Sequence, residues 1–161
     1  MNITVGFGYD SHRFGENRSL ILGGVKIPFE KGLVAHSDGD ALIHALCDAL
    51  LGAASLNDIG SYFPDTASEF KNIDSRILLE KVVYLIGQKG FTVNNADMTI
   101  VIEKPKMSPY IDSMKKVLAP ILQVSENKIA IKAKTNEKMG FVGSGEGVAT
   151  FAVVTLVKSD D

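Results

Sequence analysis

The sequence predicts one α/β domain, of the α+β kind, in which a mixed β-sheet carries helices on one face. Segments of strand character alternate with segments of helical period along most of the chain. Strand candidates sit next to one another at both ends, a pattern that a purely parallel sheet does not produce. The length, 161 residues, suffices for one hydrophobic core and is short for two ordinary domains. Residues 1–161 are therefore read as a single domain.

Residues 2–12 carry β-branched and aromatic positions without helical spacing and read as a strand. Ser19–Gly23 and Val25–Pro28 read as two short strands or a hairpin with glycines at the turn. Ala35–Asp40 is a turn in which Ser37, Asp38 and Asp40 could each cap a helix. The helix that follows, about Asp40–Leu56, has Leu42, Leu46, Ala49, Leu50 and Ala53 on its core face. Asp40, His44 and Asp48 recur every four residues on another face. Asn57–Asn72 has no period and reads as a long loop, and such loops are often functional.

A second helix is predicted over Asp74–Lys89, capped by Asp74 or Ser75 and stopped by Gly90, with a stripe of Leu78, Leu79, Val82, Val83 and Ile86. Met98–Ile102 reads as a strand core. Ser108-Pro109 opens a third helix through Ile121, whose last turn Pro120 weakens. Ile129–Lys134 reads as a strand, Asn136–Gly147 as a glycine-rich loop, and Val148–Val157 as a final apolar strand.

The composition is 45% apolar and 22% charged, which suits an ordered globular chain. A formal charge of −2 argues against broad binding of nucleic acid or an anionic membrane. A single cysteine excludes an internal disulfide and most thiolate metal sites, and fits a reducing compartment. No signal-peptide pattern opens the chain, and the apolar stretch Ala41–Leu56 is too short to span a bilayer. A soluble, cytoplasmic protein is expected.

All three histidines, His12, His36 and His44, fall in the first third of the chain. Asp10 and His12 are two apart on a strand and share a face. With His44 from the adjoining helix they make an Asp-His-His donor set suited to Zn²⁺, Mn²⁺ or Fe²⁺. Three protein ligands leave a coordination position open, as in catalytic rather than structural zinc sites. Asp40 or Asp48 is expected to hold the second ring nitrogen of His44. The plainer alternative is a pair of ordinary histidines beside a turn aspartate. His36 precedes a helix N-terminus that attracts phosphate, though from the residues alone a simple turn histidine is the default. Lys104 and Lys106 flank Pro105 at a strand exit, where two solvated lysines are the default. Glu137 could complete an oxygen-ligated Mg²⁺ or Mn²⁺ site shared with a substrate phosphate. The run from Gly143 to Gly147 lacks the lysine and helix of a phosphate-binding Walker loop.

Gly-Tyr-Asp-Ser-His-Arg-Phe, Leu-Gly-Gly-Val-Lys-Ile-Pro, Ala-His-Ser-Asp-Gly-Asp with His44, Asp-Ile-Gly with Phe-Pro-Asp-Thr, Pro-Lys-Met, and Thr-Asn-Glu-Lys-Met-Gly-Phe with Gly-Glu-Gly occur in this order between residues 6 and 147. In these motifs the chain resembles the 2-C-methyl-D-erythritol 2,4-cyclodiphosphate synthase family of the non-mevalonate isoprenoid pathway. The resemblance implies that Asp10, His12 and His44 bind a catalytic zinc, and that His36 and Thr135 steady the transferring phosphate. It implies that Ser37, Asp58, Ile59, Gly60, Phe63, Pro64, Asp65, Thr66 and Ala67 contact the methylerythritol phosphate half of the substrate, alongside the Asp10–His12 centre. Ile102, Glu103, Lys104, Pro105, Lys106, Met107 and Ser108, with Lys134, Asn136, Glu137 and Phe141, would serve the cytidine diphosphate half, and Glu137 a second divalent metal. The family is a homotrimer with sites between subunits, so the two groups are expected from different chains. Ser144 and Ala67 depart from the family pattern, which often has arginine and aspartate there.

The implied reaction is attack of the substrate's 2-phosphate on its β-phosphorus, closing a cyclodiphosphate and expelling CMP. The nucleophile is already an anion, which fits a chain with no evident nucleophile–base pair. Two other readings remain: a non-catalytic trimer binding a nucleotide or prenyl diphosphate, and a metal-dependent phosphohydrolase.

Overall fold

The computed structural model describes residues 2–159; positions 1, 160 and 161 of the expected domain lie outside the described residues. Strand β1 runs over Asn2–Gly15, followed by the short strands β2 (Leu20–Leu22), β3 (Val25–Ile27) and β4 (Gly32–Leu33). Helix α1 spans Ala41–Ala53, α2 Ile59–Tyr62 and α3 Ser75–Gln88. Then come β5 (Phe91–Val101), α4 (Ile111–Leu122), β6 (Ile129–Lys134), α5 (Gly140–Gly143) and β7 (Gly147–Lys158).

Five strands form one sheet in the order β4-β1-β7-β5-β6, with only β5 and β6 parallel, and β2-β3 form a separate hairpin. The mixed sheet expected from the sequence is therefore present. Its two faces differ sharply. On β1, Gly6 and Gly8 are buried while Ile3, Val5, Phe7 and Tyr9 are exposed. On β7, Val148, Ala152, Val154 and Leu156 are buried while Val153 stands out into solvent. Strand residues alternate between faces, so all the helical cover lies on one side.

Helix α1 buries ten of its thirteen residues. It is therefore not an amphipathic surface helix but a central one, pressed between the sheet and α3. Its approach to β1 is set by glycine. A Cβ placed on Gly8 would lie 1.8 Å from the Ala45 carbonyl oxygen, and one on Gly6 would lie 1.9 Å from that of Ala49. Ala45, Ala49 and Ala53 recur every four residues and form the small-residue stripe that makes this approach possible.

The N-terminus of α1 is closed by Asp40. Its carboxylate accepts from the backbone N–H of Gly23 (2.9 Å), Gly24 (2.7 Å) and Ile43 (3.1 Å), tying the β2-β3 turn to the helix start. Complete burial, with the charge of Asp38 nearby, pushes this carboxyl up to about 6 despite those amides.

The structure extends several sequence assignments. Strand β5 begins at Phe91, not Met98, because Asn94 and Asn95 sit beside an irregularity in the ladder and bond to Thr155 rather than continuing an apolar run. The presumed loop after α1 contains α2 and a 3-10 turn at Ser68–Phe70, and the glycine-rich loop contains α5. Helix α4 continues past Pro120 to Leu122 and ends on Gln123 at φ 60°. No helix among the described residues is long and apolar enough to cross a membrane.

Gly8→Ala drives a methyl group into the backbone of α1, which no side-chain rotation relieves. A loss of about 3 kcal/mol or more in unfolding free energy is expected, read from the urea midpoint; an unchanged midpoint would contradict the packing described.

Candidate active site and metal centre

The face of β1 that carries Gly6 and Gly8 continues with Asp10 and His12. Moving along it, the strand passes from the Ala53 end of α1 to its first turn, where His44 projects. The Thr150 hydroxyl locks this junction by donating to the carbonyls of Ala41 (2.8 Å) and Asp10 (3.3 Å). The result is a tight triangle. Asp10 Oδ2 lies 2.8 Å from His12 Nε2 and 3.1 Å from His44 Nδ1, and the two ring nitrogens are 3.3 Å apart.

Two donors each about 2.0–2.1 Å from a tetrahedral ion stand about 3.3 Å apart, so these edges suit a metal with slight expansion. The three residues could hold a metal ion. Burial by itself would push Asp10 up, but its bonds to His12 and His44 and their charges outweigh burial and hold it at about 2. For His44, burial disfavours the charged form, yet the hydrogen bond and charge of Asp10 outweigh it and raise the imidazole above its usual value.

The second nitrogen of His44 is not held by Asp40 or Asp48. Its Nε2 meets two serine hydroxyls, Ser75 Oγ at 3.0 Å and Ser37 Oγ at 3.1 Å. Asp40 is outside the helix and committed to three amides, so the four-residue spacing does not bring it to the ring. Asp48 accepts from the Ile59 N–H at 2.8 Å and thereby anchors α2. Sequence reasoning names Ser37 and Ser75 in other roles but misses their bonds to His44 and the role of Asp48, because hydroxyls and loop amides carry no spacing signal.

The triad opens on a cleft of about 450 Å³ lined by Asp10, His12, His36, Ser37, His44, Asp48, Asp58, Ile59, Gly60, Phe63 and Asp65, with Phe70 among its apolar walls. The structure thus brings together most of the residues assigned to one half of a substrate. Pro64, Thr66 and Ala67 continue the same loop, and Ala67 is tied in through its carbonyl, which accepts from His36 Nε2 at 2.9 Å. That bond leaves His36 Nδ1 for a ligand. Arg18, not singled out in the sequence, braces the turn by donating to the carbonyls of Ala35 (3.2 Å) and Ser37 (2.7 Å).

The remaining candidates gather elsewhere. At the ends of the parallel pair β5 and β6, Ile102 N–H bonds to Lys134 O (2.9 Å) and Asn136 N–H to Glu103 Oε1 (2.7 Å), joining the two segments. Ile102 and Met107 point into the core, so ligand contact there falls to their backbone. Lys104, Lys106, Ser108, Lys134, Thr135 and Glu137 are exposed, with Glu103, Pro105 and Asn136 partly covered. Phe141 faces a smaller cavity that it shares with Ser11, Arg13, Glu146 and the triad's own His12. Asp10 pairs with Thr150, Thr150 with Ile100, and Ile100 with Ala133. The triad and the β5-β6 cluster are therefore at the same end of the sheet but about 14 Å apart, three strand spacings.

A carboxylate and two imidazoles that could hold a metal ion stand beside a polar cleft on a one-sided mixed sheet, an arrangement consistent with a metal-dependent enzyme. Residues 3–157 match the YgbB family, and the chain belongs to that family. It is 54% identical over 156 residues to the 2-C-methyl-D-erythritol 2,4-cyclodiphosphate synthase of Nitrosococcus oceani, covering 97% of this chain and 99% of that one. The same enzyme of Actinobacillus succinogenes is 54% identical over 157 residues, covering 98% of this chain and 99% of the other. Among solved structures, the bifunctional IspDF of Campylobacter jejuni superposes with a TM-score of 0.95 at 44% identity over 99% of this chain, which spans 43% of that longer protein. The CDP complex of Plasmodium falciparum IspF superposes with a TM-score of 0.86 at 33% identity, covering 99% and 98% of the two chains.

Binding a divalent ion to the triad requires His44 neutral. Because Asp10 raises the His44 imidazole, apparent affinity for Co²⁺ or Zn²⁺ in a chelator competition should fall about tenfold per pH unit below that raised titration and level off above it. A pH-independent affinity would remove His44 from the ligand set.

Proposed function

We propose that the chain converts 4-diphosphocytidyl-2-C-methyl-D-erythritol 2-phosphate to 2-C-methyl-D-erythritol 2,4-cyclodiphosphate and CMP. The observation that carries this reading is the convergence of Asp10, His12 and His44 at a polar cleft, in a chain alike along its length to synthases of that name. An oxygen of the 2-phosphate attacks the β-phosphorus, the bond from that phosphorus to the bridging α-phosphate oxygen breaks, and CMP leaves with the electron pair. No proton need be removed from the nucleophile, so the protein's work is to hold two like-charged phosphates in line.

A Zn²⁺ ion is the reading that fits a donor set of one carboxylate, two imidazoles and no thiolate; when bound it supplies charge neutralisation at phosphate oxygens. His36 and Thr135 steady the transferring phosphate. Ser37, with Asp58, Ile59, Gly60 and the Phe63–Ala67 loop, receives the methylerythritol half. The Ile102–Ser108 and Lys134–Glu137 segments, with Phe141, receive the cytidine diphosphate. Glu137, exposed at its turn, takes a second divalent ion, Mg²⁺ or Mn²⁺, with the diphosphate. The setting is cytoplasmic isoprenoid precursor synthesis.

The two half-sites lie too far apart in one chain to share a single reacting centre, which supports a site completed by a second copy. The exposed face of Ile3, Val5, Phe7, Tyr9 and Val153 supports a homotrimer packed sheet to sheet, since so large an apolar patch is unusual on a monomer.

Incubating the protein with this substrate and Mg²⁺ is expected to yield CMP and cyclodiphosphate in equal amounts. Inorganic phosphate would indicate a phosphohydrolase, and no turnover a binding protein. His44→Ala should lower CMP release by about a thousandfold, the scale of several kcal/mol of metal stabilisation, without changing the assembly. Phe7→Glu should instead give monomers on light scattering, and these should fail to release CMP although their triad is untouched; active monomers would refute the shared site.

A further inference from the structure

Behind the triad, Ser75 and Asp38 form a second layer whose hydrogen-bond directions are determined by chemistry. Ser75 is the first residue of α3 and has no exposed surface. A hydroxyl buried there is unfavourable unless it is fully bonded. Its Oγ lies 2.5 Å from Asp38 Oδ1 and 3.0 Å from His44 Nε2. Asp38 Oδ2 also accepts from the Ser75 N–H at 3.0 Å, and Asp38 Oδ1 from the Asp40 N–H at 3.1 Å. The same carboxylate thus joins the first turns of α1 and α3.

An ionised carboxylate only accepts. The Ser75 hydroxyl must therefore donate to Asp38, and toward His44 it can only accept. A proton on either ring nitrogen of His44 meets an acceptor, the Ser75 oxygen at Nε2 or the Asp10 carboxylate at Nδ1, and the Asp38–Ser75 pair favours Nε2. In a neutral imidazole the lone pair then falls on Nδ1, the nitrogen 3.1 Å from Asp10 Oδ2 and 3.3 Å from His12 Nε2. Ser37 Oγ accepts from the Gly39 N–H and lies 3.1 Å from His44 Nε2.

We propose that Asp38 and Ser75 are positioning residues that bias the tautomer of His44 toward Nε2–H and so present Nδ1 as a metal ligand. The proposal rests on the reading of Asp10, His12 and His44 as the metal site. It adds that metal affinity depends on a carboxylate which touches neither metal nor substrate.

Asp38→Asn reverses the relay. The asparagine amide can donate to Ser75, which frees the serine hydroxyl to donate to His44 Nε2 and moves the ring proton to Nδ1. Ser75→Ala removes the relay but keeps the backbone N–H that Asp38 caps, so the helix start survives. Metal-free protein labelled with ¹⁵N-histidine, at a pH high enough to leave His44 neutral, reports the tautomer by long-range proton–nitrogen correlation. Zn²⁺ affinity follows from chelator competition, and folding from circular dichroism.

In the wild type the ring proton of His44 is expected to be shared between Nε2, facing Ser75, and Nδ1, facing Asp10. Asp38→Asn should shift it toward Nδ1–H and weaken Zn²⁺ binding about 10- to 100-fold. Ser75→Ala should weaken binding about tenfold, and the double variant should be no worse than the weaker-binding single, because the two act through one path. A tautomer balance in Asp38→Asn equal to that of wild type, or both variants binding Zn²⁺ as tightly as wild type, would overturn the proposal. A wild type that binds no Zn²⁺ would instead refute the metal reading beneath it, and His44→Ala run in parallel identifies that case.

Discussion

The contact between α1 and β1 governs this structure. Gly6 and Gly8 on the strand, and Ala45, Ala49 and Ala53 on the helix, let two backbones meet with no side chain between them. The contact does more than fill the core. It fixes the rotation of α1 over the sheet, and the residue before Ala45 is His44. A helix held off by one ordinary side chain would carry His44 beyond reach of Asp10 and His12, whose own spacing is set by the strand. Core packing and donor geometry are one constraint here.

Around that contact, the turn from His36 to Asp40 divides its polar groups among different tasks. Asp40 is spent on amides of α1 and the β2-β3 turn. Asp38 links α1 to α3 and bonds Ser75. Ser37 faces the His44 ring, and His36 reaches across to the cleft loop at Ala67. Low exposure strengthens each of these bonds and makes an unpaired member costly. Four polar positions within five residues, which a composition analysis treats alike, thus act on four different neighbours.

Most of the fold was legible because it is written in periods. The stripes of α1 and α3, the run of β7 and the i, i+2 relation of Asp10 and His12 each follow from local geometry, as does the sheet's mixed character. What was lost lies where period and polarity conflict. Asn94 and Asn95 hide the first half of β5. Asp48 shares a helix face with His44 yet serves the Ile59 amide, since a side chain's spacing says which direction it points but not which neighbour arrives there. Ser75 reads only as a cap candidate, and its bond to Asp38 could not be foreseen: that partner is 37 residues away, and only the meeting of two helix N-termini brings them together.

The division of the candidate substrate residues between two places follows from the same sheet. β1, β5 and β6 run in the same direction, so their C-terminal loops share one end, but β7 and β5 stand between Asp10 and the Lys134 segment. No motion of a loop as short as Thr135–Met139 crosses that interval without unpairing the β6 edge that carries it. Meanwhile the face opposite the helices exposes Phe7 and Val5 over the very strand that bears the triad. A partner sheet laid on this apolar face comes to rest directly behind Asp10 and His12. That face and the triad lie on opposite sides of β1, so in the homotrimer proposed above a partner packed there would bury the exposed aromatics without covering the donors.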